Sequence, residues 1–188
     1  MDEIEEKNNI KVVLLGDEKT GKTKFVQFLK LGIKSCDFEN YIPSGGVSYI
    51  EKRFIFNNKL YIIDLWDTVG QEKYTTLLRF FYKDADIIFI FFDYNNKKSF
   101  ERAKFLVNLV KGQCENKNIV IVLVGNKFHL DINSIETDNV VHEEEILEYV
   151  DKNNLIFAHL SILEIYSNGV NEIFKISIKE YIKIKGIK

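Results

Sequence analysis

Apolar residues along this chain fall into blocks of two kinds. Near-continuous β-branched and aromatic runs at 10–15, 87–92 and 119–124 read as strands buried on both faces. Residues 47–56 and 60–66 predict two further strands around an Asn57-Asn58 hairpin turn, and 155–158 predicts the last one. Between them the spacing turns helical. Residues 22–31 place Phe25, Phe28 and Leu29 on one face. Residues 99–111 carry a stripe of Phe100, Ala103, Leu106, Val107 and Val110, with Ser99 as the expected N-cap. Further helices are expected at 72–82, 143–152 and 170–185; the acidic run Glu143-Glu144-Glu145 suits a helix start. Strands alternating with helices predict a doubly wound α/β fold: a mostly parallel six-stranded sheet with helices on both faces and one antiparallel pair. Residues 1–9 are expected to form an N-terminal tail and 10–188 a single domain, without linker or repeat.

Composition narrows the function classes. A length of 188 residues suits one core, since about 70% of the unfolded surface can be buried at this size. With 46% hydrophobic and 29% charged residues the chain is neither disordered nor membrane-embedded in character. A net charge of −2 gives no general attraction to nucleic acid. The acidic start, Met1-Asp2-Glu3-Ile4, resembles neither a secretion signal nor a myristoylation site. Cys36 and Cys114 are too few for a disulfide framework, which fits a reducing cytosol, and neither offers a prenylation signal near Lys188. No membrane anchor is therefore expected in the sequence given. His142 and His159 lack a second ligand at metal spacing and read as ordinary surface or core residues.

The chemistry begins where the first strand ends. Gly16-Asp17-Glu18-Lys19-Thr20-Gly21-Lys22-Thr23 has the Gly-x-x-x-x-Gly-Lys-Ser/Thr pattern between a strand and a helix. Such a loop cradles a diphosphate with backbone N–H groups, helped by the positive end of the helix that begins near Lys22 and Lys24. Lys22 would reach the β/γ oxygens and Thr23 would offer a hydroxyl to Mg²⁺. A second motif, Asp67-Thr68-Val69-Gly70-Gln71-Glu72, follows the strand at 60–66. Asp67 could hold Mg²⁺ through water, Gly70 could set its N–H against a γ-phosphate, and Gln71 could orient an attacking water. A third, Gly125-Asn126-Lys127, closes an apolar strand, as a base-binding loop would.

Together these motifs resemble the Ras superfamily of small GTPases, and the Rab branch most, over nearly the whole chain. The resemblance implies the P-loop small GTPase fold, GDP/GTP and Mg²⁺ as ligands, slow GTP hydrolysis, and a role in vesicle and membrane traffic. Asp67–Glu72 differs from the family pattern only in Val69. Tyr41-Ile42-Pro43-Ser44-Gly45-Gly46-Val47 resembles the first switch, with Ser44 where a Mg²⁺-binding Thr normally stands. Effector, exchange-factor and GTPase-activating proteins would then bind through the switch segments 38–48 and 68–82. Trp66, with Tyr49 and residues 80–82, could form the aromatic patch by which Rabs are read, or these rings could fill the core, the expected fate of Phe81. The resemblance also places the protein in the cytoplasm, peripheral on intracellular membranes if a lipidated tail or partner exists.

Several positions depart from the pattern. His129 stands where the guanine motif carries Asp, and a neutral imidazole has one acceptor nitrogen where a carboxylate accepts two bonds from the base. Leu160-Ser161-Ile162-Leu163 is the candidate for the serine loop that meets the guanine O6, with Ser161 and Ile162 as its contact residues. Phe38 is the candidate for stacking on the base, one residue from the usual place. Glu18 and Lys19 replace a small residue and a glycine; they could pair at the rim, or Glu18 could slow hydrolysis by repelling phosphate charge. These departures keep a second reading open, a degenerate GTPase acting as a protein-interaction module. A nucleotide kinase fits worse, since such enzymes clamp phosphate with several arginines and this chain has three scattered ones, Arg53, Arg79 and Arg102.

Overall fold

The computed structural model describes residues 8–31, 48–68, 75–116, 118–127, 139–160 and 169–186. Among these residues six strands and five helices follow in the order β1 (Asn8–Gly16), α1 (Lys22–Leu31), β2 (Ser48–Phe56), β3 (Lys59–Asp67), α2 (Thr75–Tyr82), β4 (Ile87–Asp93), α3 (Lys97–Gln113), β5 (Val120–Asn126), α4 (Glu143–Asn153), β6 (Ile156–Leu160) and α5 (Gly169–Lys185). The strands form one sheet in the order β2-β3-β1-β4-β5-β6. Only β2 runs antiparallel to its neighbour. This is the doubly wound architecture expected from the alternating pattern. No helix among the described residues is long and apolar enough to cross a membrane.

Alternation within β1 explains why its sequence is apolar on both sides. Ile10, Val12 and Leu14 pack toward α1 and α5, against Phe25, Phe174 and Ile178. Val13 and Leu15 pack toward the other face, with Phe100, Leu106 and Val107 of α3 and Ile146 of α4. Phe25 meets Phe89, Phe91 and Phe174 with ring centroids 5.8, 5.4 and 5.8 Å apart, so α1 is fixed against the middle of the sheet. That anchor bears on the candidate site, because α1 begins at Lys22 of the glycine-flanked loop.

Local chemistry accounts for most boundaries. Asn57 and Asn58 both adopt positive φ, 50° and 59°, as a two-residue hairpin loop of the I′ type requires. The start of α3 differs from the expected one. Asn96 is the N-cap, its side chain accepting from the Ser99 amide at 3.2 Å. Ser99 lies inside the first turn, where its hydroxyl donates to the Asn96 carbonyl (2.7 Å) and accepts from the Asp93 amide (2.9 Å). Both residues are good cap formers; Asn96 caps, and Ser99 is buried within the first turn. The first strand begins at Asn8, two residues before the apolar run, since pairing with Tyr61 needs only backbone groups.

Candidate functional site

The carboxyl ends of β1, β3, β4, β5 and β6 gather at one edge of the sheet, where open α/β sheets bind ligands. Between β1 and α1 the chain turns through three residues of positive φ: Gly16 (141°), Lys19 (63°) and Gly21 (100°). Gly16 is required by contact as well as angle, for a Cβ there would stand 2.5 Å from the Phe91 carbonyl oxygen. Lys19 holds a left-handed conformation that costs a side-chain-bearing residue about 1–3 kcal/mol.

Lys22 is buried, only 4% exposed, and its Nζ donates to the Gly16 carbonyl (2.9 Å) and the Asp17 carbonyl (2.7 Å). The Thr20 hydroxyl donates to the same Asp17 carbonyl at 2.8 Å, and the Glu18 amide donates to the Asp17 carboxylate at 3.0 Å. The loop thus wraps around its own ammonium. Thr23 and Lys24 follow in the first turn of α1, half-buried, while Glu18 and Lys19 face solvent at the rim.

Two further segments close on this loop. In the β1–β3 register Asp67 lies opposite Leu14, two residues before Gly16, and is 1% exposed. Thr68 is buried beside it and donates to the Leu14 carbonyl at 2.9 Å, which fixes how the chain leaves β3. Asn126, at the end of β5, sends its Nδ2 to the Thr20 carbonyl at 2.8 Å. The third motif is therefore tied directly to the first across 106 residues of sequence. Lys127 follows, its amide donating to the Leu160 carbonyl at 2.8 Å.

This donor set fits a polyphosphate nucleotide with a divalent cation. A buried ammonium and loop amides offer positive charge, and the Thr23 hydroxyl and the buried Asp67 carboxylate are hard oxygen ligands of the kind Mg²⁺ takes. The Asn126 Oδ1 is buried and accepts no hydrogen bond from the described residues, leaving it for a ligand's donor. The structure thus brings together Gly16 to Lys24, Asp67, Asn126 and Lys127. Phe38, Ser44, Gly70, Gln71, His129, Ser161 and Ile162 lie outside the described residues.

Beside this edge, the outer face of the sheet carries aromatic rings. Tyr49 packs on Trp66 at 5.1 Å between centroids, and Trp66 on Phe81 at 6.3 Å. Phe81 is half-buried, so it is neither wholly core nor wholly exposed; Phe80 is exposed and Tyr82 fully buried. A cleft of about 350 Å³ is lined by Lys11, Tyr49, Asp64 and Trp66. The Tyr49 hydroxyl donates to the Asp64 carboxylate at 2.6 Å, and this bond, with burial and the charges of Asp64 and Glu51, pushes its pKa up to about 12.

Sequence reasoning missed Tyr94, whose ring faces the Lys127 ammonium, and His159, which lies within hydrogen-bond distance of the Tyr94 hydroxyl. The usable signal was register: a parallel sheet that ends at Asn126 must also bring the ends of β4 and β6 beside it.

Comparison with known proteins adds a second line of support. The model of the Ras family matches residues 11–183. The chain is 35% identical over 155 residues to the Ras-related protein RABA4d of Arabidopsis thaliana, covering 82% of this chain and 65% of that protein. It is 33% identical to the GTP-binding protein YPT53 of Saccharomyces cerevisiae, over 81% of this chain and 68% of that one. With the Ras-related protein Rab-5A of Dictyostelium discoideum it shares 33% identity, over 87% and 76% of the two chains. The chain thus spans about two thirds of the length of the first relatives it matches.

Proposed function

This chain belongs to the Ras family as a Rab-like member, and from that premise we propose that it is a guanine-nucleotide switch that hydrolyses GTP slowly. The observation that carries the reading is the joining of three motifs at one sheet edge: Lys22 held by Gly16 and Asp17, Asp67 opposite Leu14, and Asn126 bonded to Thr20. A phosphate loop used only as a turn needs none of these links.

The roles divide by chemistry. Backbone amides of 16–21 and the Lys22 ammonium bind the phosphates and stabilise charge that develops as the γ-phosphate leaves. Thr23, Ser44 and, through water, Asp67 would hold Mg²⁺, which when bound neutralises phosphate charge. Gly70 would set its amide against the γ-phosphate and Gln71 would orient the attacking water. Asn126, Lys127, Phe38, Ser161 and Ile162 would contact the nucleoside. Order in segments 38–48 and 68–82 would then depend on the γ-phosphate, and effectors, exchange factors and GTPase-activating proteins would read it there. The Tyr49–Trp66–Phe81 cluster, with exposed Phe80, supplies an apolar anchor for such partners. By likeness to Rabs, the setting is the cytoplasmic face of intracellular membranes, in traffic of vesicles.

His129 favours a second reading, an interaction module that binds nucleotide weakly. Isothermal titration with GDP and GTP separates the two: dissociation constants below about 10 μM support the switch, and weaker ones the module (about −7 kcal/mol divides them). Substituting His129→Asp is expected to tighten GDP binding about tenfold to a hundredfold while leaving ADP unchanged, because bonds to a charged acceptor are worth about 1.5–3 kcal/mol. Equal affinities in the two proteins would remove residue 129 from the base site.

A further inference from the structure

Tyr94 follows directly on β4, and its backbone is bound on both sides: its amide donates to the Asn126 carbonyl at 3.1 Å and its carbonyl accepts from the Val141 amide at 2.8 Å. Its ring lies across the end of β5, 5% exposed. There Gly125 makes room for it, since a Cβ at residue 125 would come within 2.5 Å of the Tyr94 ring carbon Cε2 and 2.9 Å of the Phe92 ring. The next residue but one is Lys127, whose Nζ stands 4.7 Å from the centroid of that same ring. An ammonium over an aromatic face is attracted by the ring quadrupole, so the Tyr94 ring restricts where the Lys127 side chain can go.

The ring is itself held. The Tyr94 hydroxyl and the His159 Nδ1 are 2.8 Å apart, and the two rings stack with centroids 6.0 Å apart. His159 is the fourth residue of β6, opposite Gly125 in register, and Phe157 packs edge-on against it at 4.7 Å. On its other side the His159 Nε2 lies 3.5 Å from the carboxylate of Glu143, the first residue of α4. With Nδ1 accepting the phenol proton, Nε2 carries the hydrogen that faces Glu143. The chain of contacts therefore runs Glu143–His159–Tyr94–Lys127, linking the start of α4 and the ends of β6, β4 and β5.

We propose that Tyr94, clamped through its hydroxyl by His159, is a positioning residue that fixes Lys127 for contact with the nucleoside. The proposal rests on residues 126 and 127 being the base-binding loop. It adds a determinant of nucleotide affinity that lies outside all three motifs. It also gives the glycine at 125 a purpose, because any larger residue there would evict the ring that holds Lys127.

The test compares Tyr94→Leu, which removes the ring, with Tyr94→Phe, which keeps it and cuts the bond to His159. One readout needs no nucleotide: the ε-methylene resonances of Lys127 should show an upfield ring-current shift in the wild type and in Tyr94→Phe, and lose it in Tyr94→Leu. The second is dissociation of GDP in the presence of Mg²⁺, expected to rise about two- to fivefold in Tyr94→Leu and less in Tyr94→Phe, from the usual strength of a cation–π contact. His159→Leu should match Tyr94→Phe, the double variant should add nothing to either, and His159→Gln, which can still bond the hydroxyl, should restore the wild-type rate. Should Tyr94→Leu not fold, that cycle decides alone, and simple additivity in it overturns the proposal. An unshifted Lys127 in the wild type, or GDP release unaltered in Tyr94→Leu, overturns the proposal and leaves the switch standing. A wild-type protein that binds no GDP overturns both.

Discussion

Lys19 adopts φ 63° in a loop whose other two positive angles belong to glycines. Its side chain is exposed, so nothing in the described contacts offsets that angle through packing. Replacing it by glycine should raise stability by about 0.5–1 kcal/mol, the strain relieved less the entropy glycine adds to the unfolded chain. The thermal midpoint should rise about 1–3 °C, read by calorimetry, and a fall would show that the lysine makes a contact worth more than its strain. The departure from glycine, and with it a backbone conformation that glycine enters freely, was legible in the sequence, and the positive φ of Lys19 bears it out. Residue-scale reading did worse where partners are remote. The sequence places Thr20 in the phosphate-binding loop without showing its links, yet its hydroxyl donates to the Asp17 carbonyl and its own carbonyl receives Asn126. His159 looked bland because its partners, Tyr94 and Glu143, are 65 and 16 residues away in sequence and meet it only across the sheet edge.

At the scale of elements, periodicity located each strand and helix that the structure describes, because burial on one or two faces leaves a direct imprint on residue spacing. Ends were harder: Asn96 and Ser99, three residues apart, are both suited to cap α3, and the structure has Asn96 in that place. How α3 and α4 are joined is visible only in three dimensions. Lys104 reaches Glu101 on its own helix and Glu145 on α4, each at 2.8 Å, and lies 4.4 Å from the Phe100 ring centroid. Desolvation alone would lower the Lys104 pKa, but the bonds to Glu101 and Glu145 outweigh it and raise it above 10.5. The bond from Lys104 lowers that of Glu145 below 4.5 against the opposing pull of burial. A carboxylate with a depressed value contributes stability above 4.5 that is lost as pH falls through the lowered value; the raised lysine contributes below 10.5 and loses its share above it. Accordingly Glu145→Gln should cost at most about 1 kcal/mol at neutral pH, since both side chains reach water. The gap to wild type, measured by urea denaturation, should close on acidification. A gap that persists in strong acid would assign the loss to packing rather than charge.

At the scale of the whole molecule, the described residues form an apolar sheet packed on both faces, and the three motifs meet at one of its ends. The core on both faces is continuous from β1 through β5, so the loops at that edge are carried on a platform that does not depend on ligand. A ligand that binds only the folded state should then add stability by mass action. GDP with Mg²⁺ at about one hundred times its dissociation constant should contribute about 2.7 kcal/mol and lift the thermal midpoint by about 5–10 °C, with chelation of Mg²⁺ reversing part of the rise. A midpoint indifferent to millimolar GDP would argue that the phosphate loop is a structural turn. The sequence by itself determined the fold class and the three motifs, because periodic burial and loop chemistry are local properties written in consecutive residues. Only the tertiary structure decided that Asn126 bonds Thr20, that Asp67 lies against β1, and that His159 meets Tyr94 while Tyr94 meets Lys127. Those are meetings of residues far apart in the chain, and they exist because parallel strands in register bring their ends to one edge.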